Sequence, residues 1–453
     1  MSPHKMQEMM APSAVTSLEE KASRLVMAHA AWHSLLWLVV ANFVGVLLAA
    51  MLLFPAINIL LGQWTYGRWM PVHMNLQLYG WCSLPMAGFL LHVYGCNREP
   101  VGRWVSPVFC LWSVALGVGA ISWLNAHSSG KLFLDWTGFP RVLFPLSLLG
   151  LWGLLAVSLV YEHNQSIQTH RVAFAIKIVG LFLLILVPAV LFVASSPALY
   201  PPINPDTGGP TGASQLESTL VIIAILLLLP FGIAPRQRSR SGTIQFAWVI
   251  FAVECALCLS LGRADVSHHS PAQWISLGSL LVWIPLTPAY YREFLWHNNT
   301  RRWRYAFLAW WAVLVPTGWM LFLPGVLDHF KFTDGLVGHS LLAMAGFASS
   351  LLIFMLVQLM GEDGWIFNGT WSFYVWQATV AAYVVIMFVA GWQEGLHPAF
   401  AIVPGMLRNS IYGLRLCLGV LILAASLNWF KDAFSLFKEI DTGRFRQNSE
   451  AMQ

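Results

Sequence analysis

Long apolar runs separated by short polar stretches recur along the chain, near 34–61, 71–95, 105–125, 141–161, 171–196, 216–235, 243–262, 271–291, 305–325, 335–360, 371–392 and 406–430. A helix rising 1.5 Å per residue needs about 20 apolar residues to cross a hydrocarbon core of roughly 30 Å. The pattern therefore predicts an all-α, polytopic membrane protein with twelve transmembrane helices. The 30 residues before the first run are polar and show no small-residue cleavage site after a short apolar core, so the first helix is expected to stay attached. Residues 1–33 then form an N-terminal arm, 34–430 one membrane domain, and 431–453 a C-terminal tail. No internal repeat is visible, and the longest polar connection, 197–215, is rich in Pro, Gly, Ser and Thr.

Composition agrees with a lipid solvent. The 453 residues are 57% hydrophobic and only 10% charged, against roughly 25% charged in soluble domains. The 23 Trp and 28 Phe suit interfacial belts and equally suit packing around a flat apolar cofactor. Charge adds orientation. With both termini on one side, that side receives seventeen of the 25 Lys and Arg and the opposite side six, while Lys177 and Arg415 fall inside spans. The bias places both termini in the cytoplasm of a bacterial inner membrane. The net charge of +5 reflects this topology. No clustered basic face of the kind that binds nucleic acid is present.

Histidine is the residue type most informative about chemistry, because an imidazole inside a span is costly unless it is hydrogen-bonded, ligates a metal or lines a wet cavity. His73, His92, His329 and His339 qualify. His73 and His339 sit at similar depth from the outer side. Gly335 and Gly338 precede His339 on neighbouring faces, which would let a flat ring approach the helix backbone. His92 reads as interfacial, His268 and His269 as an exposed pair in an outer loop, and His29 and His33 as residues before the first span with no evident partner. Cys255 and Cys258 form a C-x-x-C pair in mid-span beside Glu254 and read as core packing. Glu254 and Lys177 are the intramembrane charges that a permease would use.

The run from Asn42 to Ala50, then Phe54-Pro55-Ala56-Ile57-Asn58, then Tyr66 to His73, resembles the first two helices of the catalytic subunit of C-family (cbb-type) haem–copper cytochrome c oxidases. Lys331-Phe332-Thr333-Asp334 through His339 to Gly346-Phe347 is similar to that family's tenth helix, and Trp371 to Phe430 to its last two. The resemblance implies a twelve-helix, subunit I-like bundle. It also implies a low-spin haem ligand at His73, whose second ligand position holds Leu341, and a high-spin haem ligand at His339. The family's copper-binding histidine pair falls at Ala264-Asp265 within Gly262-Arg263-Ala264-Asp265. Its helix-six histidine falls near Gln215, its helix-seven tyrosine at Ile244 and its helix-nine glutamate at Thr317.

Copper that cycles between oxidation states needs imidazole nitrogens, which Ala, Asp and Gln do not supply. The resemblance therefore implies haem b, one or two per chain, held by His73 and His339, and no copper centre. The expected role is a haem-bearing electron carrier or scaffold in a respiratory complex, beside other membrane subunits and c-type cytochromes. Two other readings stay open: an active terminal oxidase or nitric oxide reductase, oxidising cytochrome c or quinol, and a transporter.

Overall fold

The computed structural model describes residues 3–98, 100–131, 133–165, 171–199, 215–237, 241–261 and 270–442. The described chain is predominantly helical and contains no β-strand. We number the long helical rods in order: α1 (Pro3–Leu53), α2 (66–93), α3 (Val105–Leu124), α4 (Pro140–Asn164), α5 (Arg171–Ala194), α6 (Gln215–Ile233), α7 (Thr243–Leu261), α8 (271–291), α9 (Arg301–Leu321), α10 (334–360), α11 (Thr370–Leu396) and α12 (Met406–Asp441). Nine of the described helices are long and apolar enough to cross a membrane; α2, α8 and α9 are helical but fall short of that combination of length and apolarity. A polytopic helical membrane protein follows.

Interruptions within the rods have local causes. α2 joins Tyr66–Asn75 to Ser83–Val93 through a π-helical stretch, Leu76–Cys82. α10 has the same construction, with a π-helical stretch Leu342–Ala348 between Asp334–Leu341 and Ser349–Met360. α8 carries a tight 3-10 turn at Leu280–Val282. The first span differs from the expected 34–61: α1 ends at Leu53, ahead of Pro55, and a separate short helix follows at Ala56–Leu60. At the other end the helix runs unbroken through the residues before position 34. His29 and His33 therefore lie inside a spanning helix and are buried, not in a polar arm.

The chain forms two compact units. The first comprises 1–199, 362–367 and 423–453. Within it, α1 lies against α2 at two glycines: a Cβ on Gly80 would collide with Trp37, and one on Gly88 would stand 2.7 Å from the Ala30 Cβ. Several polar groups are paired inside this unit. Gln77 donates to Asn42 Oδ1 at 2.9 Å, and Asn42 donates to Ser426 Oγ at 3.2 Å. Arg24 forks onto Asp363 at 2.6 and 2.9 Å. The loop between α3 and α4 is pinned by Lys131, whose Nζ donates to the carbonyls of Ala194, Ser196 and Leu199 at 2.7, 2.6 and 2.5 Å, and by Trp136, stacked on Phe144 with centroids 4.3 Å apart. The carbonyl of Ala194 at the end of α5 has no intrahelical donor, and the lysine ammonium satisfies it together with two carbonyls of the turn that follows.

The second unit comprises 200–361 and 368–422. Its α10 and α11 approach until a Cβ on Gly391 would collide with the Gly335 backbone and one on Gly338 would meet Met387 Cβ at 3.0 Å. Small residues at such crossings let dispersion act over the full helix length where lipid offers no hydrophobic drive.

Candidate functional site

His73 stands three residues before the π-helical stretch of α2. A π turn widens the helix and leaves carbonyls without their usual i+4 donors, and two side chains capture them. Trp112 Nε1 of α3 donates to the Tyr79 carbonyl at 3.0 Å, and Ser83 Oγ donates back five residues to the Leu78 carbonyl at 2.9 Å. Trp37 of α1 fills the space beside Gly80, and its Nε1 donates to Ser113 Oγ of α3 at 3.1 Å. His73 itself lies against α1. Its Nδ1 is 2.7 Å from the Ala41 carbonyl, and its ring rests on Gly45, where a Cβ would come within 2.8 Å of Cε1. A carbonyl can only accept, so Nδ1 carries the hydrogen and a neutral His73 keeps its lone pair on Nε2.

His339 repeats this arrangement. It stands three residues before the π-helical stretch of α10. Trp376 Nε1 of α11 donates to the Ala345 carbonyl at 3.1 Å, and Ser349 Oγ donates back five residues to the Met344 carbonyl at 2.8 Å. Trp310 of α9 fills the space beside Gly346 and donates from Nε1 to Gln377 Oε1 of α11 at 2.6 Å. The His339 ring faces Gly318 of α9, where a Cβ would lie 3.5 Å from Cε1. Thus α1–α2–α3 and α9–α10–α11 are two copies of one three-helix device, with His73 and His339 equivalent. The sequence shows no repeat because only the clasp is kept: His, Gly, Ser and two Trp recur, while the lipid-facing positions between them differ.

One bond is not repeated. The α9 carbonyl equivalent to that of Ala41 belongs to Leu314. It accepts from Thr317 Oγ1 at 3.0 Å, and that hydroxyl also lies 2.7 Å from the Val313 carbonyl. The position equivalent to Thr317 in α1 is Val44, which has no hydroxyl. Nδ1 of His339 is buried and has no hydrogen-bond partner among the described residues. The gap at Gly335 and Gly338, where a flat ring was expected, is filled by protein, with Phe330 against Gly335 and α11 against both.

The other singled-out residues separate. His329 sits on the short helix Val326–Phe330 at 3.1 Å from the Trp392 carbonyl and 4.2 Å from that indole, a structural bond. His92 is exposed near the end of α2. Residues 262–269, with the positions matched to copper and the pair His268 and His269, lie outside the described residues. Lys177 pairs with Glu162 at 2.9 Å, whereas Glu254 accepts from Trp283 Nε1 at 2.6 Å, so each charge considered for a permease has its own partner. Cys255 and Cys258 are unbonded thiols and only half-buried. No group of three or more His, Cys, Asp or Glu stands together in a metal-holding arrangement among the described residues.

Two polar clusters were not legible in the sequence. At the start of α10, Arg415 of α12 donates to both oxygens of Asp334 at 3.2 and 3.1 Å and to Tyr383 at 3.1 Å, while Glu394 accepts from the Asp334 backbone N–H at 2.7 Å. Five residues before His339, this fixes where α10 begins. In the loop after α3, Asp135 is buried and accepts from Asn75 Nδ2 at 3.1 Å. Burial pushes its carboxyl above the usual range, opposed by the Asn75 bond and by the Gly130 backbone N–H.

Compared with known proteins, the chain matches no family model and no curated protein.

Proposed function

We propose that the protein is a twelve-span, haem–copper-oxidase-like subunit without a copper centre. In this reading it serves a bacterial respiratory complex as a haem-bearing electron carrier or scaffold, with both termini cytoplasmic and with c-type cytochromes and other membrane subunits as partners. The observation that carries the reading is the duplicated clasp, which gives His73 and His339 the same register in two helix triplets. An imidazole whose Nδ1–H is fixed by a carbonyl offers Nε2 as a ligand of set orientation, which suits a haem iron. His73 fits that description. His339 fits in position, with a buried nitrogen that no described protein group satisfies. A bound haem b supplies one-electron redox chemistry; the chain supplies the imidazoles, an apolar aromatic surround and the exclusion of water. The absence of copper is proposed from residue identities at Ala264, Asp265 and Gln215.

A reduced-minus-oxidised optical spectrum of the purified protein tests this reading. A b-type spectrum that His73→Ala removes, with the protein still inserted, supports it. A spectrum without haem, or one unchanged by the substitution, rejects His73 as the ligand. Elemental analysis is expected to find far less than one copper per chain, and stoichiometric copper with oxygen uptake abolished by cyanide would instead support an active oxidase.

A further inference from the structure

Glu254 lies on α7 and is 3% exposed. Its two contacts come from α8: Trp283 Nε1 at 2.6 Å from Oε2, and Ser279 Oγ at 3.3 Å from Oε1. Neither contact is a cation. The described part of α7 adds only Cys255 and Cys258 as further titratable groups. Of the helices packed against it, α6 carries Glu217 in its first turn and α8 carries Tyr290 and Tyr291; none has a Lys, Arg or His. An ionised carboxylate here would be a lone buried charge, which costs far more than a buried neutral acid.

The hydroxyl count points the same way. Ser279 Oγ has one hydrogen and two acceptors in reach, the Ser276 carbonyl at 2.7 Å and Oε1 at 3.3 Å, and the much closer carbonyl takes it. Ser279 Oγ then has only lone pairs to turn toward Oε1. Two facing lone pairs repel, so the pair is bonded only if Oε1 carries a hydrogen and donates it to Ser279. Trp283 satisfies the remaining carboxyl oxygen, and Trp283 is itself fixed, its carbonyl accepting from Trp311 Nε1 at 3.1 Å. Every polar atom of the group is thus paired when the acid is neutral.

We propose that Glu254 is a membrane-embedded proton-binding site: a carboxylic acid that holds one proton at neutral pH on Oε1, directed to Ser279. The proton returns to bulk water only when the group ionises, and the surroundings hold no described cation to stabilise that anion.

Infrared difference spectroscopy of the full-length protein in lipid, Glu254→Gln against wild type, tests the assignment. The expected result is a protonated-carboxyl carbonyl band at neutral pH that shifts in heavy water and is missing from Glu254→Gln. A carboxylate band lost in its place, or an acid band that survives the substitution, overturns the proposal. Ser279→Ala provides the second arm: with its acceptor gone, the acid band is expected to persist at higher frequency. An unshifted band would overturn the placement of the proton on Oε1. Neither arm depends on haem, so failure here is distinguishable from failure of the proposed electron-carrying role.

Discussion

Nδ1 of His73 donates to the Ala41 carbonyl at 2.7 Å, while the Thr317 hydroxyl stands beside the equivalent carbonyl of Leu314 at 3.0 Å, sharing its one hydrogen between that carbonyl and the closer one of Val313. Removing that hydroxyl is therefore expected to help His339. Thr317→Val frees the Leu314 carbonyl for Nδ1, and a buried nitrogen that gains a partner contributes about 1 kcal/mol; thermal unfolding in detergent should show a small rise in midpoint, and a fall would refute the exchange. If His339 holds a haem alone, the sixth iron position is open. The reduced wild type should then give a carbon monoxide difference spectrum that His339→Ala abolishes; a response surviving the substitution would reject independent pockets. Asp135 makes a prediction about pH. Its carboxyl is raised in the folded protein, so the folded state binds more protons than the unfolded chain between the ordinary value of 3.8 and the raised one. Stability from this group is greatest below 3.8 and is lost as pH rises through the folded value. Asp135→Asn should remove that decline, visible as a flatter dependence of unfolding midpoint on pH.

At the scale of elements, the π-helical stretches and the glycine crossings decide where side chains point. The π turns are held by indole and hydroxyl donors from outside the regular ladder, so the aromatic load noted in the sequence serves in part as backbone satisfaction. The α10–α11 crossing has no slack. Gly391→Ala would set a Cβ into the Gly335 backbone, and an overpacked contact of this kind costs about 1–3 kcal/mol. Gly153 on α4 is the control. Nothing lies within 4 Å of its absent Cβ, and Ala there should stabilise by about 0.5–1 kcal/mol through helix propensity. Equal responses of the two variants in thermal unfolding would contradict the packing described.

For the whole molecule, the distribution of Lys and Arg assigns a side to every loop. In the proposed topology, with both termini cytoplasmic, the loop between α3 and α4 lies outside and the segment after α4 inside. In a background with the native cysteines replaced, Ser129→Cys should react with an impermeant thiol reagent added to the outer face, and Gln165→Cys only after the membrane is opened. The reverse pattern would invert the topology and place both termini outside.

The sequence alone determined the helical class, the lipid solvent and nearly all rod positions, because runs of apolar residues are local and the bilayer thickness fixes their length. It also singled out His73 and His339, since an imidazole in a span is rare enough to notice. What it could not determine depends on groups far apart in the chain. The extent of α1, and with it the burial of His29 and His33, rests on packing that makes two polar residues tolerable in an apolar helix. The duplicated clasp rests on Trp37 and Trp112 in one triplet and Trp310 and Trp376 in the other, whose indoles meet carbonyls on a neighbouring helix. The sequence marked Gly335 and Gly338 as small, with a flat ring expected against them, yet only the folded arrangement decided that α11 fills the gap, because a glycine face specifies a short distance and not the partner that takes it.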